Sequence, residues 1–172
     1  MSQVGPRAEP PPALVVLGLL SSDASFIDEA ARSFGAEFGG VDLGGVNLWG
    51  EPVPFDLTDY YAPEMGERLL RRYCSFARLM PAEQLPELKW RAWQIEQEIE
   101  QRAAGKGRPV NLDVGMLDYS KVVLASFKHG PQKIYLGHKT WADMVLSFTK
   151  GAFSPLPWTF PDLKDGRHLP FF

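Results

Sequence analysis

From Leu14 to Leu20 the chain is continuously apolar, and the run ends in Ser21-Ser22-Asp23. That pattern predicts a central strand followed by a helix cap. Phe26, Ile27, Ala30, Phe34 and Phe38 then recur at helical spacing and predict a helix over 25–38. A second strand is expected over 47–55. Residues 69–79 fit two periods. Leu69, Leu70, Tyr73, Phe76 and Met80 suit a helix, whereas Tyr73, Ser75 and Ala77 alternate with Cys74 and Phe76 as in a strand. The aromatic and serine content, and the helix signal that begins at Pro81, favour the strand. The longest helix is expected over 81–104, with Leu85, Leu88, Trp93, Ile95 and Ile99 on its apolar side. Glu96, Glu98, Glu100 and Gln101 fall on its wet side, and Gly105 and Gly107 end it. A strand follows over 109–116, and a short apolar element over 120–127. Three more strands, over 133–137, 141–148 and 152–156, read as a meander punctuated by Gly and Lys. This order predicts an α+β fold: a ferredoxin-like βαββαβ core, mostly antiparallel, with helices on one face and extra C-terminal strands.

The length of 172 residues and the 45% hydrophobic content support one domain over 13–172, preceded by a disordered Pro-rich tail over 1–12. A tandem, Gly39-Gly-Val-Asp-Leu43 and Gly44-Gly-Val-Asn-Leu48, reads as a local duplication that lengthens a surface loop. Its glycines lack phosphate-binding spacing, and the chain has no P-loop. A net charge of -3 argues against general nucleic-acid binding. The single cysteine, Cys74, excludes an internal disulfide and a Cys-based zinc site, which points to a reducing, cytoplasmic compartment. It is expected to be buried beside Phe76. No apolar run is long enough to span a membrane.

The segment Val53–Gly66 carries the densest candidate chemistry. It sets Asp56, Asp59 and Glu64 among Thr58, Tyr60 and Tyr61, between prolines and a glycine. Asp56 and Asp59, joined by Asn111 and Asp113 from a nearby strand, would gather the oxygens that a divalent cation such as Mg²⁺ requires. A phosphate-bearing substrate could then bind through the metal. The structural alternative is that Asp56 and Thr58 cap the next turn and Asp59 pairs with Arg68. Tyr60 and Tyr61 could stack on a ligand or pack into the protein. Asn111 and Asp113 share a face of an apolar strand, so Asp113 needs a donor if it points inward, with Lys121 or Arg108 as candidates. Trp90 and Trp93 are expected in the core, and His129, His138 and His168 in solvated turns. Pro155–Asp162 is pre-set and extended, suited to a lid or to a strap over the sheet, with Trp158 as its contact residue. The greasy end, Leu169–Phe172, should pack on something, a partner subunit included.

Four motifs in order carry a family resemblance: Pro54-Phe-Asp-Leu-Thr-Asp-Tyr-Tyr61 with Glu64-Met-Gly66; Val110-Asn-Leu-Asp113 with Gly115; Lys133-Ile-Tyr-Leu-Gly137; and Pro155-Leu-Pro-Trp-Thr-Phe-Pro-Asp162. Together they resemble the bacterial and archaeal family of domain of unknown function 4416, over nearly the whole chain. The Gly39–Leu48 tandem departs from that pattern as an insertion, and His138-Lys-Thr-Trp141 replaces a Gly-containing turn. The resemblance implies no activity and transfers no catalytic residue. The GTP-binding label attached to some members finds no phosphate loop or Asn-Lys-x-Asp motif here.

Two function classes remain. The favoured one is a binding or assembly module for a small anionic ligand or a protein partner, a second copy included. The chain offers no recognisable nucleophile–base arrangement. The alternative is a small enzyme, with Asp56, Asp59 and Asp113 as metal ligands or base. Tyr60 or Lys121 would then contact an anionic substrate.

Overall fold

A computed structural model describes residues 9–38, 46–103, 105 and 107–172. The expectations for residues 1–8 of the tail and 39–45 of the tandem lie outside the described residues. Among those described, no helix is long and apolar enough to cross a membrane.

The first apolar run forms β1 (Ala13–Ser21), buried at every position but Leu14. Asp23 then accepts the Ser25 N–H at 2.8 Å and opens α1 (Ala24–Phe38). Ile27, Ala30, Ala31 and Phe34 form the buried stripe of α1. The single strand expected over 47–55 is instead interrupted, as β2 (Val46–Trp49) and β3 (Val53–Pro54). Both pair with β4 (Leu70–Met80), and Gly50 between them still donates to the Tyr73 carbonyl at 2.8 Å. Pro52 and Pro54 have no N–H to give a ladder, which confines this stretch to a broken edge. The short α2 (Ala62–Met65) follows. The ambiguous segment 69–79 is strand, because β4 is wedged between β1 and the β2–β3 edge.

The long helix begins with a 3₁₀ turn (Ala82–Gln84) and continues as α3 (Leu85–Ala103). Its expected polarity is corrected at two places. Glu96, assigned to the wet side, is 3% exposed, whereas Trp93, assigned to the core, is 39% exposed. Next come β5 (Asn111–Leu117), β6 (Lys121–Ser126), β7 (Ile134–Gly137), β8 (Thr140–Thr149) and β9 (Ala152–Pro155). His138 and Lys139, at φ 50° and 57°, make the tight hairpin turn from β7 to β8. The expected meander does not form as such. β6 occupies one edge of β8, so β7 and β9 lie end to end along the other.

The result is α+β: the described residues form one nine-stranded sheet in the order β2-β4-β1-β5-β6-β8-β7, with β3 on β4 and β9 on β8. Every described pairing is antiparallel. α1 and α3 cover one face around Leu17, Leu19, Phe34, Phe76 and Ile95, and Cys74 is buried there beside Phe76. The other face is covered by the chain's own end: α4 (Pro161–Lys164) and a 3₁₀ turn (Leu169–Phe171). Leu163, Leu169, Phe171 and Phe172 pack there against Val16, Tyr73, Val122 and Leu146. Pro155–Asp162 leads into this cover. Trp158 donates its indole N–H to the Met144 carbonyl at 2.8 Å, and the Thr159 hydroxyl donates to the Val145 carbonyl at 2.5 Å.

Candidate functional site

The sheet opens between β5 and β6. Their ladder runs only over Gly115–Leu117 against Val122–Leu124. Towards Asn111 on β5 and Ser126 on β6 the strands part, and β6 continues against β8 alone. In the gap lies a pocket of about 720 Å³. α3 walls one side with Lys89, Trp93 and Glu96. The Tyr60–Tyr61 loop and Phe160–Asp162 wall the others. Its size falls within the usual range of about 300–1,000 Å³ for small-molecule sites.

Where β5 loses its neighbour, α3 supplies hydrogen bonds in place of a strand. Glu96 Oε1 accepts the Leu112 N–H at 2.6 Å, and Lys89 Nζ donates to the Leu112 carbonyl at 2.9 Å. An unpaired buried backbone group costs about 1–3 kcal/mol, so these two charged side chains stabilise the split itself. The other Glu96 oxygen accepts from Arg108 at 2.5 Å. Burial raises the Glu96 pKa, against the pull of Arg108 and Lys89.

On the opposite face Asp113 accepts from Arg71 at 2.7 Å and from Asn111 at 2.9 Å. Burial opposes its ionisation, yet Arg71, with Lys89 and Arg108 behind it, holds the carboxyl below its ordinary value. Arg71 also lies 3.4 Å from Asp162 through Nε. Those two atoms, Arg71 Nε and Asp162 Oδ2, are buried without a hydrogen bond. Tyr61 is pushed up to about 12, chiefly by burial and then by Asp113. A second buried pair, Lys133 with Asp143 at 3.6 Å, closes the β6–β7 side.

Of the residues singled out from the sequence, Tyr60, Tyr61, Glu64, Asn111 and Asp113 line the pocket together. Asp56, Asp59, Lys121 and Trp158 are not in its lining. Asp56 pairs with Arg167 at 2.8 Å, Lys121 with Asp118 at 2.5 Å, and Asp59 is exposed. Asp113 takes its donor from Arg71 rather than Lys121 or Arg108. Among the described residues no group of three or more His, Cys, Asp or Glu is arranged to hold a metal ion, so Asp56, Asp59 and Asp113 do not converge. Thr58 caps locally, accepting the Tyr60 N–H at 3.2 Å. His168 is not in a solvated turn: it is 4% exposed against the Tyr73 ring. Leu169–Phe172 packs on its own sheet.

Lys89, Glu96, Arg71, Lys128 and Lys133 were missed as site residues. One signal was available. Leu85, Lys89, Ala92, Glu96 and Ile99 follow the 4-3-4-3 spacing of a buried helix seam, with two charges inside it.

The family model described as "Domain of unknown function (DUF4416)" matches residues 11–172, and the chain belongs to that family. No curated protein and no solved structure matches it.

Proposed function

We propose that this chain is a small-molecule-binding domain whose ligand occupies the gap between β5 and β6. One observation carries this reading. Along its β6 edge the sheet gives up pairing over half of β5 and lines the opening with buried charged groups, an arrangement that a purely structural domain gains nothing from. We further read β1, α1, β2, β4, α3 and β5 as a ferredoxin-like βαββαβ core. In the order β2-β4-β1-β5, each helix-linked pair of strands has one strand inserted between its members. The buried free thiol of Cys74 supports a cytoplasmic location.

The test is an NMR fragment screen on the ¹⁵N-labelled protein. Ligands should shift amides at 89–97, 111–113 and 125–128. Hits confined to other surfaces would sink the reading.

A second reading, assembly, rests on β7, an edge strand with Ile134 68% and Tyr135 57% exposed. Under it, Ile134→Lys would convert a self-associated species to monomer in sedimentation velocity. The metal-dependent enzyme has less support, because its three proposed ligands are not gathered.

A further inference from the structure

The charges around the gap are unevenly satisfied. The buried carboxylates Asp162, Glu96 and Asp143 and the half-buried Asp113 all have cationic partners: Asp113 and Asp162 have Arg71, Glu96 has Arg108, and Asp143 has Lys133. Two ammonium groups lining the same pocket, Lys89 and Lys128, make no direct ion pair with a carboxylate among the described residues, although Lys89 lies within electrostatic reach of Glu96 and Asp113. Lys89 is 8% exposed. It spends one N–H on the Leu112 carbonyl and stands 5.5 Å from the centroid of the Phe127 ring. An ammonium carries three donors, so a buried Lys89 keeps two of them for whatever fills the space beside it. Lys128 sits at the exposed mouth, over the Tyr60 ring at 4.6 Å and in contact with the Tyr60 hydroxyl. The carboxylate of Glu64 also lines the pocket, but it is exposed and solvated.

Aromatic rings form part of the same walls, one beside each lysine. Phe127, Trp93 and Tyr60 all line the pocket, and Trp90 fixes Phe127 from behind with ring centroids 4.8 Å apart. A buried cation with spare donors selects an oxyanion, and aromatic walls select a planar body.

We infer that the ligand is a flat aromatic molecule bearing one oxyanion, carboxylate or phosphate, anchored on Lys89 with its ring between Phe127 and Tyr60. This rests on the pocket reading above and narrows it to a chemical class. Lys128 then closes the mouth through Tyr60 and supplies the second, weaker attraction.

The experiment uses matched probes: phenyl phosphate, benzoate, inorganic phosphate, and the neutral benzamide. Each is titrated by NMR into the wild type, Lys89→Met, Lys89→Arg and Lys128→Met. Phenyl phosphate or benzoate should bind in the pocket at least tenfold more tightly than benzamide or phosphate alone, and whichever is tighter identifies the oxyanion. Lys89→Met should lose at least tenfold and Lys89→Arg should retain most of the affinity. Lys128→Met, which alters an exposed side chain and leaves the fold intact, should lose two- to fivefold. Benzamide binding in the pocket as tightly as benzoate, or anion affinity unchanged in both methionine variants, would overturn the anionic class and leave the pocket reading standing. Absence of any probe from the pocket, with the wild type folded, would overturn both.

Discussion

The Arg71 guanidinium crosses the face of β1 to reach the Asp113 carboxylate at 2.7 Å, although the two residues stand on strands that do not pair with each other. The crossing point is Gly18, which lies opposite Tyr73 on β4 and Asp113 on β5. A Cβ there would stand 2.8 Å from Tyr73 Cε1 and 3.3 Å from Arg71 Nη1. Gly18 is thus the one residue of β1 whose missing side chain lets a charged pair span the central strand.

Gly18→Ala should therefore destabilise the protein although alanine is better suited than glycine to a strand interior. Tyr73 is 2% exposed, and its ring is packed against His168, Phe171 and Phe172. Overpacking of this kind costs about 1–3 kcal/mol, and the Arg71–Asp113 contact must lengthen as well. Urea denaturation reads the effect directly. A variant as stable as the wild type would mean that the ring and guanidinium rearrange freely.

Two carboxylates of the pocket should respond to pH with opposite signs. The Asp113 pKa is lowered in the folded state, so its contribution is present above the ordinary aspartate value and is lost as pH falls through the depressed one. Glu96 is raised, chiefly by burial, so its contribution is full below the ordinary glutamate value and declines as pH rises through the elevated one. Asp113→Asn should accordingly be least stable relative to wild type near neutrality, with the gap narrowing on acidification. The stability of Glu96→Gln relative to wild type should improve as pH rises from about 4.3. Denaturation from pH 3 to 7 separates the two, and parallel curves for both variants would contradict the assignment.

The sheet was legible because its strands announce themselves locally: the apolar run of β1 and the Gly- and Lys-punctuated strands near the C-terminus need no tertiary information. The site was less so. Tyr60, Tyr61, Asn111 and Asp113 were found because polar and aromatic residues stand out in a loop or an apolar strand. Lys89 and Glu96 were hidden because α3 has so many charges that two inside the seam resemble those outside it. Only the loss of the β6 partner at Leu112 explains why they turn inward, and a ladder that stops at Gly115 leaves no mark on the local pattern. Asp56 misled for the converse reason. Its neighbour in space is Arg167, which is 111 residues away along the chain.

The C-terminal cover should behave as part of the core and not as a removable lid. Leu163 is fully buried against the second face of the sheet, among Val122, Leu146 and Phe153. Leu163→Ala should cost about 2–5 kcal/mol, the usual range for a buried leucine truncation. Thermal denaturation followed by circular dichroism checks this. A loss under about 0.5 kcal/mol, within the range of ordinary surface substitutions, would instead mark 156–172 as a loosely docked flap.

The acidic loop gives the sharpest contrast between reading residues by type and reading them by position. Asp56 is held below its ordinary pKa by its hydrogen bond to Arg167, an exposed pair that joins the loop to the C-terminal segment. Exposed pairs contribute little to stability. Asp56→Asn should therefore leave the melting temperature nearly unchanged, and Mg²⁺ at millimolar concentration should shift neither protein. A ligand that binds only the folded state raises its melting temperature, and does so increasingly as its concentration exceeds the dissociation constant, so a thermal-shift titration is decisive. Stabilisation of the wild type by Mg²⁺ that disappears in Asp56→Asn would bring a metal to the loop and move the enzyme reading ahead of the binding domain. The absence of any shift would leave Asp56 as a tether between Val53–Gly66 and Arg167.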